Sequence, residues 1–126
     1  MPRLYAPETR WFGDFAIGET FYIPSRTMTD ALFAAFQMAS GDNDPIHYDL
    51  EFCKERGHPA MLAHGLQVFI QTAAGAGNFP QQTADSRVAL LSFSGEMHHP
   101  LYAGDPAYPG LEIVKLTPQR PTGIIE

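Results

Sequence analysis

Apolar residues recur along this chain with two different periods. Between Thr29 and Ser40 they fall at Leu32, Phe33, Phe36 and Ala39, three and four apart, which lines one face of a helix. Thr27 with Asp30 three residues on has the spacing of a capping box at its start, and Gly41 is its stop. From Gly65 the pattern thickens. Leu66-Gln67-Val68-Phe69-Ile70-Gln71-Thr72-Ala73-Ala74 is apolar on nearly every face and ends at Gly75-Ala76-Gly77. Such a run predicts a helix buried on all sides. Between these two, Asp49 can cap a short helix through Phe52, Cys53 and Arg56, closed by Gly57.

The second period is two. Arg87 to Pro100 alternates, with Val88, Leu90 and Ser92 on one face and Ala89, Leu91 and Phe93 on the other, and predicts a long strand. A turn at Gly18-Glu19 leads into a strand from Thr20 to Ile23, closed by Pro24. Gly104-Asp105 marks a hairpin turn before a strand from Leu111 to Thr117. Pro106 and Pro109 remove ladder donors, so the start of that strand is expected to fray or lie at an edge. Gly123-Ile124-Ile125-Glu126 reads as another strand beginning. Residues 1–15, aromatic-rich but aperiodic, read as an arm, and residues 77–86 as a polar surface connection.

Length and composition fit one domain, 1–126, with enough chain for one core. The net charge of −6 argues against nucleic acid or an anionic membrane as the main partner. One cysteine, Cys53, cannot form an internal disulfide, which points to a reducing cytoplasm. No signal peptide is recognisable and no apolar run approaches membrane-spanning length.

The chemistry concentrates between Gly41 and Gly65. Pro45 disfavours helix at Asp44, so the first helix must stop there. Asp42 and His47 then lie five residues apart across a stiff turn, which can bring a carboxylate and an imidazole to one volume. Further on, Ala63-His64-Gly65 opens the buried helix. The first amides of a helix lack internal partners and carry the positive dipole end, so an acyl carbonyl beside Gly65 would meet oxyanion donors.

These residues, Gly-Asp-x-x-Pro-Ile-His-x-Asp, then a Gly, a hydrophobic link and Ala-His-Gly, resemble the MaoC-like (R)-specific enoyl-CoA hydratases of the hot-dog fold. The resemblance runs from about Trp11 to the last residue. It implies an α+β hot-dog fold, an antiparallel sheet wrapped around a central buried helix. It implies a hydratase/dehydratase that adds water to a 2-enoyl thioester, with Asp42 and His47 holding the water and the Gly65 amide on the thioester oxygen. His64, Ala63, Leu66 and Asp44 would neighbour the bound acyl group. No cofactor or metal is implied. The partners would be an acyl-CoA substrate and a second copy of the chain, with the buried helices of two subunits side by side. It also implies that Trp11-Phe12 packs on the sheet. Two positions depart from the family: Asp44 stands where Asn is usual, and Ala73 where some members have Ser. The hot-dog sheet has five or more strands, whereas three and the opening of a fourth are legible, so the C-terminal strands are expected to be short or missing.

Other residues have plainer readings. His64 can cap or pack, His58 reads as a surface loop residue, and Cys53 as packing. Gln67 and Gln71, one turn apart, can satisfy buried neighbours, and Asp49 is a helix cap. His98 and His99 would point to opposite faces of a strand and cannot easily share an ion. Between Gly57 and Gly75 there is no Asp or Glu, which disfavours a thioesterase carboxylate on the central helix. A thioesterase and a non-catalytic acyl-thioester-binding domain stand as the alternatives. Coenzyme A is anionic, and Arg87, Lys115 and Arg120 are candidates for its phosphates by elimination only.

Overall fold

A computed structural model describes residues 7–126. Residues 1–6 of the N-terminal arm read from the sequence lie outside the described residues. The chain groups into two compact units. One combines the described part of Met1–Pro24 with Thr72–Phe93 and Pro109–Glu126, and the other combines Ser25–Gln71 with Ser94–Tyr108.

The second unit holds the helices that frame the motif. Helix α1 is Asp30–Ser40, and its cap is Thr29, whose side chain accepts from Leu32 N. This corrects the Thr27 cap. Thr27 lies in strand β2, Arg26–Thr27, and its backbone is committed to a ladder with Pro106–Ala107, here β3 of the chain. Gly41 ends α1 at φ 74°, a left-handed conformation that glycine adopts without a Cβ penalty. Of the expected inner face, Phe33 is fully buried and Leu32 and Phe36 partly so, while Ala39 faces solvent. Helix α2, Leu50–Glu55, is capped by Asp49 through Phe52 N, and Gly57 stands left-handed at φ 82° beyond its end.

Helix α3 is Gly65–Thr72. Its burial is one-sided: Gln67 is buried, whereas Leu66 and Ile70 are 63% and 62% exposed. These two are four apart and share a face. The core of this unit is Met28, Phe33 and Ala107, with Leu32, Tyr48, Met61, Ala63, Val68, Leu101 and Ala103 packed around it. Full burial of a Phe or Met side chain is worth about 1.5–3 kcal/mol, so Met28 and Phe33, both at 0% exposure, anchor the unit.

The first unit is built from strands. A short 3-10 turn, Phe12–Asp14, precedes strand β1, Thr20–Phe21, which pairs antiparallel with β4, Leu111–Glu112. Strand β5, Leu116–Pro118, pairs antiparallel with β6, Gly123–Ile125. The single strand expected from Leu111 to Thr117 is thus two. Between them, Val114 N and Lys115 N both donate to Glu126 O, which moves the pairing from β1 to the C-terminal residues. Phe12 packs directly on Gly123, where a Cβ would lie 2.3 Å from its ring. Trp11 does not follow it and is 61% exposed. The core is Phe15, Phe21 and Ile113, joined by Phe79. The supposed polar connection supplies that Phe79 from a short helix α4, Phe79–Gln82, and also the buried Thr83.

The long strand expected from Arg87 to Pro100 does not form. Val88 to Pro100 carries no strand assignment, and every residue in it is exposed. Alternation requires only that successive side chains diverge. A strand also requires a ladder with a neighbouring strand, and no ladder or bridge among the described residues includes this segment.

Candidate functional site

After α1 the chain turns by successive local caps. Asp42 Oδ1 accepts from Asp44 N at 3.1 Å, and Asp44 Oδ1 accepts from Ile46 N at 3.1 Å. Pro45 opens a 3-10 turn, Pro45–His47, at the position where its missing N–H costs nothing. Asp44 is therefore a turn cap. Tyr48 N and Asp49 N both return to Pro45 O, and the chain continues into α2.

Two hydrogen bonds join this turn to the Ala63-His64-Gly65 segment. Leu62 N donates to Ile46 O at 3.1 Å, and His47 Nδ1 lies 2.7 Å from Leu62 O. A carbonyl only accepts, so Nδ1 carries the proton and neutral His47 keeps its lone pair on Nε2. His64, two residues after Leu62, stacks on the His47 ring with centroids 3.7 Å apart and planes at 27°. Asp42, His47 and His64 each bring one ligating atom into the same volume, all within 4.8 Å of one another. His64 Nε2 faces the Tyr48 hydroxyl and stands 3.9 Å from Asp42 Oδ2. The trio is thus a cluster of one carboxylate and two imidazoles, with the Tyr48 hydroxyl against His64 Nε2.

Burial grades across the group. The Asp42 side chain is 44% exposed and His64 2%. Burial, then the neighbouring His47 charge, pushes the His64 imidazole below its ordinary pKa; Gln67, Asp42 and Asp44 act the other way. Burial and the Asp42 charge push the Tyr48 phenol up.

The other residues named from the sequence are placed as follows. Gly65 begins α3 directly after His64, so its amide lies in the first helical turn. A Cβ there would first meet the Met97 side chain at 3.5 Å, an ordinary contact. Ala63 packs into the Met28–Phe33 core and donates its N–H to Leu101 O. Leu66 is exposed beside Ile70. Cys53 is buried, with Sγ 3.1 Å from Ile46 O. His58 is half-buried against the Tyr102 hydroxyl at 3.0 Å rather than free on a surface loop. His98 is exposed beside Glu96, and the strand that was to separate it from His99 is not formed. Lys115, Arg87 and Arg120 are all exposed, and Lys115 pairs with Glu126 at 3.4 Å. Tyr48 was missed altogether. Its only trace in the sequence is adjacency to His47, and a tyrosine there reads as packing until the His64 contact is seen. Gln67 does satisfy buried neighbours, His64 Nδ1 and Leu32 O.

The MaoC-like domain profile matches residues 14–107, which span this whole arrangement. The chain belongs to the MaoC-like domain family. No curated protein matches it. Among solved structures it is similar to a monoamine oxidase regulatory protein of Archaeoglobus fulgidus, at 22% identity and a TM-score of 0.85, over 95% of this chain and 81% of that one. A second Archaeoglobus fulgidus protein aligns at 20% identity and a TM-score of 0.66, over 86% of this chain and 66% of that one. A MaoC-like dehydratase of Rhodospirillum rubrum aligns at 19% identity and a TM-score of 0.64, over 92% and 80%. The fold is accordingly the α+β hot-dog fold, here with strands of two or three residues. No helix among the described residues is long and apolar enough to cross a membrane.

Proposed function

We propose that this MaoC-like domain is a hydro-lyase that adds water reversibly to a 2-enoyl thioester, giving a 3-hydroxyacyl thioester. The observation that carries the reading is the His47 tautomer. With Nδ1–H given to Leu62 O, Nε2 is left as the base, and a His47 ring nitrogen lies within 4.8 Å of an Asp42 carboxylate oxygen. The water oxygen adds to C3 while its proton passes to His47 Nε2. The C2=C3 electron pair moves toward the thioester oxygen, which the Gly65 N–H stabilises, and the Asp42–His47 pair then returns one proton to C2. The family profile spans parts of both compact units, which supports one functional domain.

The carrier is read as coenzyme A, with Arg87, Lys115 and Arg120, all exposed, as candidates for its phosphates by elimination only. Leu66 and Ile70, exposed on one face of α3, support a homodimer in which a second copy covers that helix. Light scattering that gives a stable monomer at micromolar concentration overturns the dimer. The activity is tested with crotonyl-CoA. Loss of enoyl absorbance without thiol release supports the hydratase. Thiol release instead establishes a thioesterase, and binding without turnover a non-catalytic acyl-thioester module.

A further inference from the structure

The two ring nitrogens of His64 are in different situations. Gln67 Nε2 donates to Leu32 O at 2.8 Å, which fixes the amide and turns its Oε1 toward His64 Nδ1 at 3.1 Å. An amide oxygen only accepts, so Nδ1 carries the proton and neutral His64 keeps its lone pair on Nε2. Nε2 faces the Tyr48 hydroxyl. The same hydroxyl lies 2.8 Å from the backbone carbonyl of Asp42, which also only accepts.

One hydroxyl proton is thus shared between two acceptors. While His64 is neutral, one of the two contacts has no proton in it. Once His64 is protonated, Nε2–H donates to the Tyr48 oxygen, Tyr48 donates to Asp42 O, and both contacts are filled. We propose that Tyr48 is a positioning residue of the site, its hydroxyl fixing the Asp42 turn from a seat on His64 and holding it more firmly when His64 gains a proton.

The surroundings of His64 set the terms of that gain. His47 stacks on it from the 3-10 turn, and Asp42 and Asp44 face it from the loop after α1. Gln67 meets it from α3, and the Phe33 and Phe36 rings of α1 lie 6.2 and 4.6 Å away. The carboxylates favour the extra proton, while burial and a charged His47 oppose it. His64 is therefore neutral at neutral pH and the tighter arrangement belongs to the acid side.

Tyr48→Phe separates the hydroxyl from the ring, which keeps its place against the apolar cluster. The substitution removes one hydrogen bond from the neutral form and two from the protonated form. The His64 titration, followed by NMR of its imidazole in the intact protein, is expected to move further to acid. The kinetic half of the test rests on the hydratase reading: kcat on crotonyl-CoA is expected to fall about tenfold, the worth of one hydrogen bond, with KM changed less than threefold. An unmoved titration overturns the proposal whatever the activity does. So does a wild-type His64 whose neutral form carries its proton on Nε2, or an unchanged kcat. A titration that moves in a protein hydrating no enoyl thioester supports the Tyr48–His64 coupling and overturns only the hydratase reading.

Discussion

The loop from Gly41 to Asp49 and the extended segment from Val88 to Pro100 keep their shapes by different means. In the loop nearly every turn is closed by a group two to four residues away: Gly41 on Gln37, Asp42 on Asp44, Asp44 on Ile46, Pro45 on Tyr48 and Asp49. In the extended segment the amides meet no ladder among the described residues, and Val88, Leu90 and Leu91 are 82%, 79% and 71% exposed. Its later part is held by side-chain contacts: Gly95 lies against the Phe69 ring and Met97 beside Gly65. Short-range capping is self-sufficient, whereas an alternating strand depends on whatever lies beside it.

The largest test of this contrast is chemical. If the capped loop exists to place Asp42 and His47 together, replacing either by Ala should lower kcat by about 10²–10⁴, roughly 3–5.5 kcal/mol of barrier. The double variant should be little worse, because the pair acts as a unit. Activity on crotonyl-CoA measures this, and single variants within threefold of wild type would break the assignment.

Stability should divide in the same way. Phe33→Ala, at 0% exposure beneath the loop, is expected to cost about 3–5 kcal/mol in urea unfolding. Leu91→Ser, at 71% exposure, should stay within about 0.5 kcal/mol. Equal losses would mean that the extended segment is as firmly packed as the loop. Gly95→Ala sharpens the point for the part that does touch the fold. Its Cβ would sit 2.4 Å from a Phe69 ring carbon, so the ring must shift, at an expected cost of about 1–3 kcal/mol.

The smallest effect belongs to Asp44. Because the folded pKa of His64 is lowered, its contribution to stability is fully present above the ordinary imidazole value of 6.5 and is lost as pH falls toward the folded pKa. The Asp44 charge opposes that lowering. Asp44→Asn keeps a competent cap and removes the charge. It should carry the loss of stability, and the acid limb of kcat/KM, further to acid without abolishing activity. Urea midpoints from about pH 7 to 5 check the first and a pH–rate profile the second. Superimposable curves would mean that the Asp44 charge does not reach the trio.

Much of the site was legible because its signals are local. Gly41 as a stop, Pro45 as a break, Asp49 as a cap and the Gly-Asp…Pro-Ile-His…Ala-His-Gly pattern each depend on a few neighbouring residues, whose conformational preferences act before any packing. The α1 cap slipped by two residues because Thr27 and Thr29 offer the same hydroxyl. Only the β2–β3 pairing of Thr27 settles which one is free to cap.

The sequence by itself determined helices α1 to α3 and the turn at Pro45, since chain-local sterics and capping encode them. Tertiary structure alone decided the rest. It turned His64 inward, seated Tyr48 between His64 and the Asp42 carbonyl, exposed Leu66 and Ile70, and left Val88 to Pro100 without a ladder. Those outcomes depend on groups far apart in the chain: the His64–Tyr48 contact joins residues 16 apart and the Gln67–Leu32 contact residues 35 apart. Neither period nor propensity carries information over such separations, because which partner a buried group meets is fixed only once the core has closed around it.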